Sequence, residues 1–155
     1  MGKIFYVMGK SASGKDTVFK QLCKRLPRLK TMTMYTTRPI REGEQEGVEY
    51  FFVNQKFLEE CRKKGTLIEC RTYETVFGPW SYFTVNDGQI DLEKGDYLVI
   101  GTLESYGKMR EFYGRDALVP LYIHVEDGLR LKRALEREQQ QKVPKYRDCL
   151  LYTSP

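Results

Sequence analysis

The stretch GKSASGKDTV, Gly9 to Val18, has the residue types and spacing of a loop that grips phosphate. Such a loop needs small residues so that successive backbone N–H groups can turn inward. It also needs a helix N-terminus behind them and a lysine that reaches the terminal phosphates. Gly9, Lys10, Ser11, Ala12, Ser13, Gly14 and Lys15 provide the small run and the lysine. The position after the lysine ordinarily gives a hydroxyl to Mg²⁺, and here it is Asp16. A carboxylate is itself a hard-oxygen ligand, directly or through water, and negative charge is favoured in the first turn of a helix. Thr17 keeps a hydroxyl one step later, so Asp16 and Thr17 are the candidate Mg²⁺ ligands. The alternative is a Gly/Ser turn between strand and helix that binds nothing.

A second cluster lies in YTTRPIREGEQEGVEYFFV, where Arg38 and Arg41 stand three apart across a proline with Tyr50 behind them. Two guanidinium forks and a phenol make a phosphate receptor, because arginine pairs oxyanions bidentately. Two arginines on a solvated basic loop are the alternative.

Alternating strands and helices must position these residues. KIFYVM (Lys3–Met8) reads as a buried strand, and KDTVFKQLCKRL as a helix with Val18, Leu22 and Leu26 on one face, stopped by Pro27. KTMTMYT reads as a second strand, YFFV as a third, and NQKFLEECRKKG as a helix with Asn54 as N-cap and Gly65 as stop. LIECRTY, WSYFTV and DYLVIGT read as strands, ESYGKMREFYG as a helix ending at Gly114, and LVPLYIHV as a core strand. EDGLRLKRALEREQQQ is a helix with acids first and arginines later, which suits the macrodipole. The expected class is α/β, with a mainly parallel core sheet flanked by helices. A small β-rich insertion is expected over about residues 36–85, the core being about 1–35 and 86–150 of a single domain.

A chain of 155 residues, 41% hydrophobic and 30% charged, is long enough to bury a core as one compact domain. No apolar run approaches the ~20 residues of a membrane span, and the N-terminus reads as neither a signal peptide nor a myristoylation site, Tyr6 standing where Ser or Thr is needed. Cys23, Cys61, Cys70 and Cys149 form no CxxC pair and do not cluster with His124, the single histidine; they read as reduced cytoplasmic thiols. His124, on an expected core strand, reads as structural. The net charge of +5 permits an anionic partner, nucleotide or nucleic acid. An RNA-binding reading finds no RNP or KH signature, and YFTV and YFFV are explained as strands, so no nucleic acid and no membrane are expected as partners.

The arginine-bearing stretch resembles the substrate-phosphate loop of guanylate kinases, T-T-R-x-x-R-x-G-E-x-x-G-x-x-Y-x-F-V. It does so through Thr36, Thr37, Arg38, Arg41, Gly43, Glu44, Gly47, Tyr50, Phe52 and Val53, without a gap. LIEC resembles the family's strand bearing the guanine-reading glutamate, which lands on Glu69, and TVFGPW resembles its tyrosine-tyrosine-glycine segment, with Phe77 and Gly78. Arg133 and Arg137 match the region of the family's lid arginines. The resemblance runs from about Lys3 to about Arg137 and implies a P-loop nucleoside monophosphate kinase.

The resemblance implies ATP as phosphoryl donor, held by Lys15 and the loop amides, with Mg²⁺ bridging its phosphates beside Asp16 or Thr17. It implies Arg38, Arg41 and Tyr50 on the acceptor phosphate, Glu69, Phe77 and Gly78 also on the acceptor, and Arg133, Arg137 or Arg147 closing over the transferred group. The acceptor is expected to be GMP or dGMP. Several positions depart from the family. Asp16 replaces the loop serine, Met34 or Tyr35 a base-reading serine, and Pro79 a small hydroxyl residue. Phe77 lacks a phosphate-binding hydroxyl, and an acidic pair is absent where Gly101 and Thr102 stand, with Glu104 and Ser105 nearby. GKD-type loops also occur in deoxynucleoside monophosphate and phosphomevalonate kinases, which keeps the acceptor open, and a non-catalytic binding module of the same fold is a further alternative. The last residues, CLLYTSP (Cys149–Pro155), resemble a translated sequencing adapter and extend no pattern; a natural chain running past about Cys149 with a further helix is expected.

Overall fold

A computed structural model describes residues 1–141; Arg147, Cys149 and the tail 149–155 lie outside the described residues. The chain runs through β1 (Ile4–Gly9), α1 (Lys15–Arg25), β2 (Lys30–Thr31), β3 (Tyr35–Thr36), β4 (Phe51–Phe52) and α2 (Gln55–Lys64). It continues through β5 (Leu67–Thr75), β6 (Gly78–Val85), β7 (Tyr97–Gly101), α3 (Leu103–Tyr113), a 3₁₀ turn (Arg115–Ala117), β8 (Leu118–Ile123) and α4 (Asp127–Gln139).

Two four-stranded sheets result. The first has the order β2-β7-β1-β8, and every pairing in it is parallel. Its two central strands, β7 and β1, are apolar on both faces, as a parallel sheet between helices requires. Ile4, Tyr6 and Met8 of β1 join Val99, Met109 of α3 and Leu118 in one buried cluster. Phe5, Leu98 and Leu121 point the other way, toward Leu22 and Leu26 of α1. Among the described residues no helix is long and apolar enough to cross a membrane.

The second sheet has the order β4-β3-β6-β5, antiparallel except for β3 with β4. Its two faces differ in chemistry, because side chains alternate along a strand. On the rear face Phe83, Val85, Leu67 and Cys70 pack with Leu58, Cys61 and Phe57 of α2. The helix is fixed there by the Asn54 side chain accepting from Phe57 N–H at 2.9 Å and by Gly65 at φ 70° beyond its last turn. On the front face Arg71 lies opposite Tyr82, Tyr82 opposite Thr36, and Thr36 opposite Phe52. A bulge between Leu67 and Glu69 sets this parity: Leu67 packs in the rear cluster, while Ile68 packs against the core of the first sheet.

Two expectations are corrected. KTMTMYT is not one strand: Lys30–Thr31 pairs with β7 in the first sheet and Tyr35–Thr36 with β4 and β6 in the second. Thr33 crosses between the sheets, and Gln89 on the return crossing clasps it, its Oε1 accepting from Thr33 N at 2.8 Å and its Nε2 donating to Thr33 O at 2.9 Å. The run is β-favouring throughout and carries no turn residue to mark the break. His124 is not on a core strand; β8 ends at Ile123, and His124 is exposed beyond it. Among the described residues β8 is an edge strand, paired only with β1, and beyond the buried Leu118 it alternates between half-buried and exposed positions.

Candidate functional site

The loop from β1 to α1 is shaped by two glycines. A Cβ on Gly9 would stand 2.7 Å from Ser13 Oγ and 2.8 Å from the Ile123 carbonyl oxygen, so only glycine lets the loop turn against β8. Gly14, at φ 87°, occupies the N-cap of α1 in the left-handed region. No side chain caps this helix, so nothing on a side chain competes for the amides of its first turn. Ser13 Oγ is buried with no partner. A buried hydroxyl without a partner, beside uncapped amides and next to Lys15, is an arrangement that an anion would complete. Lys15 opens α1 and is half-buried, while Asp16 and Thr17 in the same turn are exposed. Among the described residues no three His, Cys, Asp or Glu side chains form a metal cage. A Mg²⁺ bound through one carboxylate and substrate phosphates needs none.

The loop is braced from α4. Arg130, buried, donates through NH1 to the Ser11 carbonyl at 3.0 Å and through NH2 to Asp127 Oδ1 at 2.6 Å; Lys10 Nζ stands 3.7 Å from the same oxygen. The Arg130 hydrogen bond, with Lys10 beside it, lowers the Asp127 pKa below the usual carboxylate range. Arg133 and Arg137 lie on the exposed side of this helix, whose buried residues are Arg130, Ala134 and Glu138. Arg130 was not singled out by the sequence. Its signal was the Asp127/Arg130 spacing at the start of the helix after a core strand.

The front face of the second sheet carries the other candidates. Arg38 is 4% exposed and held in a fork by Glu44, NH1 to Oε1 at 2.7 Å and NH2 to Oε2 at 2.9 Å. Its guanidinium also lies 5.4 Å from the Tyr50 ring centre and 5.5 Å from that of Phe52. The Arg38 hydrogen bond holds the Glu44 carboxyl at about 2, from an ordinary 4.5. Glu44 Oε1 further accepts from the backbone N–H of Arg41 at 2.9 Å, which closes the loop between the two arginines; the Arg41 side chain is half-buried. Arg38 Nε is buried with no partner.

Tyr50 joins this face to the loop. Burial raises its pKa; Arg38 and Arg71 act to lower it, and Asp16 to raise it. The start of α1 and the arginine-bearing face therefore share one electrostatic environment. Tyr82, edge-on to Tyr50 at 5.6 Å and to Tyr73 at 5.9 Å, forms the floor.

Glu69 lies on the same face, 5% exposed, and both its oxygens accept: Oε2 from Arg71 Nε at 3.1 Å, Oε1 from Thr84 Oγ1 at 2.8 Å. Arg71 was missed by the sequence reading, since an arginine within a strand passes for a solvated residue. Of the two candidates for the missing serine, Met34 is buried two residues before Thr36, whereas Tyr35 stacks in the rear cluster on Phe57 and Phe83. Where an acidic pair is absent, Gly101 ends β7, and Thr102 and Ser105 form the capping box of α3. Phe77 and Gly78 stand apart, at the tip of the β5–β6 hairpin; Phe77 is 79% exposed and stacked on Trp80.

A family model described as guanylate kinase matches residues 1–84. The chain is 37% identical over 76 residues to the guanylate kinase of Coxiella burnetii, which covers 48% of this chain and 37% of that protein. To the guanylate kinase of Clostridioides difficile it is 37% identical over 78 residues, 50% of this chain and 38% of that one. To that of Neisseria meningitidis serogroup A it is 34% identical over 117 residues, 76% and 54%. The crystal structure of guanylate kinase from Anaplasma phagocytophilum superposes with a TM-score of 0.65 at 25% identity, covering 87% of this chain and 67% of that one. The aligned part of this chain spans little more than a third of the length of the first two relatives.

Proposed function

The chain belongs to the guanylate kinase family, and we propose that it transfers the terminal phosphoryl group of ATP to GMP or dGMP. The observation that carries this reading is a pair of anion receptors on one chain: an uncapped helix start with a buried, unpartnered Ser13 hydroxyl, and a sheet face bearing Arg38, near enough that the charge of Asp16 is felt at Tyr50. Lys15 and the first-turn amides of α1 hold the donor's β- and γ-phosphates. Arg38, Arg41 and Tyr50 hold the acceptor phosphate, Glu44 keeping the Arg38 fork oriented until the acceptor arrives. Arg130 holds the loop's backbone in place.

Asp16 and Thr17 would hold Mg²⁺, which when bound neutralises charge on the donor phosphates. The acceptor oxygen is already an anion, so the residues need only position and neutralise, and no general base is assigned. Glu69 and Arg71 line the part of the face that meets the acceptor's base. Phe77 and Gly78, at the hairpin tip, and Arg133 and Arg137, on α4, reach the substrates only if those elements close inward. The substrates are free nucleotides, and the proposed compartment is the cytoplasm.

An ADP-release assay across GMP, dGMP, AMP, CMP, UMP, dTMP and phosphomevalonate tests this. GMP or dGMP should be best, and Lys15→Ala should abolish release. Preference for a pyrimidine nucleotide or phosphomevalonate overturns the acceptor. Silence with every acceptor, from a protein that still binds ATP, overturns the kinase in favour of a binding module.

A further inference from the structure

Arg71 is a buried cation only partly served by its neighbours. Its side chain is 8% exposed, and its one hydrogen bond to a described residue is from Nε to Glu69. The two terminal nitrogens donate to no described residue, yet neither is among the buried polar atoms left without a partner, so both still meet solvent. The strand register places them: Arg71 lies opposite Tyr82 on the front face of the second sheet, and Tyr82 stands edge-on to Tyr50, over whose ring Arg38 lies. Tyr6 of β1, Tyr50 and Tyr73 all sense Arg71, and Tyr50 senses Arg38 and Asp16 as well. The fork therefore opens into the cleft between the sheets, beside the phosphate receptor.

Burial works against the Arg71 charge, and Glu69 beside it holds the guanidinium protonated. The cleft thus presents a donor fork and a carboxylate side by side. Glu69 has two lone-pair positions beyond those taken by Arg71 and Thr84. Guanine offers the complement along one edge: O6 accepts, while N1–H and the 2-amino group donate. Its N7 adds a second acceptor beside O6, which suits a guanidinium fork. Adenine offers a donor at position 6 and an acceptor at N1, so it satisfies the pair with fewer bonds and in the opposite order.

We propose that Arg71 is a specificity-determining residue that donates to the 6-carbonyl oxygen of the acceptor's purine while Glu69 accepts from N1–H and the 2-amino group. This rests on the acceptor reading above, and its test is built on binding so that the two can fail separately. The probe is 6-thioguanosine monophosphate, which keeps N1–H and the 2-amino group but replaces O6 by a weak acceptor. Calorimetric titration of the full 155-residue chain should show GMP binding on the order of 10- to 100-fold tighter than the thio analogue, the worth of a bidentate arginine contact. Arg71→Lys keeps the charge but loses the fork. It should bring the two ligands to within about threefold of each other and leave ribose 5-phosphate, which has no base, within about threefold of its wild-type affinity.

Equal wild-type affinity for GMP and the thio analogue overturns the proposal, and does so even if the lysine variant fails to fold. So does an Arg71→Lys variant that weakens GMP, the thio analogue and ribose 5-phosphate alike, which would make Arg71 a phosphate ligand or a purely structural residue. Discrimination at O6 without ADP release supports Arg71 and sinks turnover. ADP release without that discrimination does the reverse.

Discussion

Removing the carboxylate of Glu44 should expose how much the acceptor-phosphate receptor depends on one ion pair. Exposed pairs contribute about 0–1 kcal/mol, and breaking a fully buried one costs about 3–5 kcal/mol. The Arg38–Glu44 pair lies between these limits, with the arginine side chain 4% exposed, the carboxylate 17%, and two short charge-assisted bonds at 2.7 and 2.9 Å. A double-mutant cycle with Glu44→Gln and Arg38→Met should therefore return a coupling of about 2 kcal/mol in urea unfolding at about pH 6. The bond from Arg41 N–H to Glu44 is weakened in both the single and the double variant and drops out of the cycle. The pH dependence follows from the carboxyl, held at about 2 against an ordinary 4.5. A depressed carboxyl stabilises the fold above its unfolded value and stops doing so as pH falls through the folded one. The coupling should be complete above 4.5, more than half gone at about pH 3 and absent near 2. A coupling under about 0.5 kcal/mol at pH 6, or one that stays constant down to pH 3, would refute the argument.

Three further outcomes are expected. Gly101→Ala would place a Cβ 2.7 Å from Ser105 Oγ and 2.9 Å from Tyr6 Cζ, in hard contact with the Tyr6 hydroxyl as well. It should cost about 1–3 kcal/mol and bring the Tyr6 hydroxyl, pushed up to about 12 by burial, back toward 10 in a spectroscopic titration; an unchanged titration would show that Tyr6 keeps its place. Asn54→Ala removes the N-cap of α2 and should lower stability by about 1 kcal/mol in the same urea assay, an unaltered midpoint counting against the cap. Asp16→Asn should raise the Mg²⁺ concentration for half-maximal ADP release far more than it raises the KM for the acceptor, whereas equal Mg²⁺ dependence would leave Asp16 with only a helix-start role.

What the sequence made legible was local. The glycine loop with its lysine, the Asn54 cap and the Gly65 stop are each specified by neighbours within a few residues, and the helices begin and end accordingly. What it hid was set by distant partners. The run from Lys30 to Thr36 favours a strand at every position, and only β7 and β6, more than 40 positions away in sequence, decide that its ends enter different sheets. On α4 the leucines stay outside, Leu129, Leu131 and Leu135 being 40%, 45% and 44% exposed, while Arg130 turns inward to the Ser11 carbonyl. A charged residue on a buried helix face has no periodic signal, because its partner is a backbone oxygen. Arg71 escaped for a different reason, its worth depending on Glu69 lying beside it on a front face that periodicity alone cannot distinguish from the rear.

The bulge between Leu67 and Glu69 determines where this protein can gain or lose residues. Deleting Ile68 would straighten the strand with Leu67 still on the rear face and Glu69 and Arg71 still on the front, but it would take away the side chain through which β5 meets the core of the first sheet. The tip is the more tolerant place, since Val76 and Phe77 are 94% and 79% exposed and pack against neither sheet's core. Insertions and deletions among descendants of this chain should accordingly gather at the hairpin tip and spare the bulge. A one-residue change at one end alters a surface, and at the other it removes a contact between the two sheets.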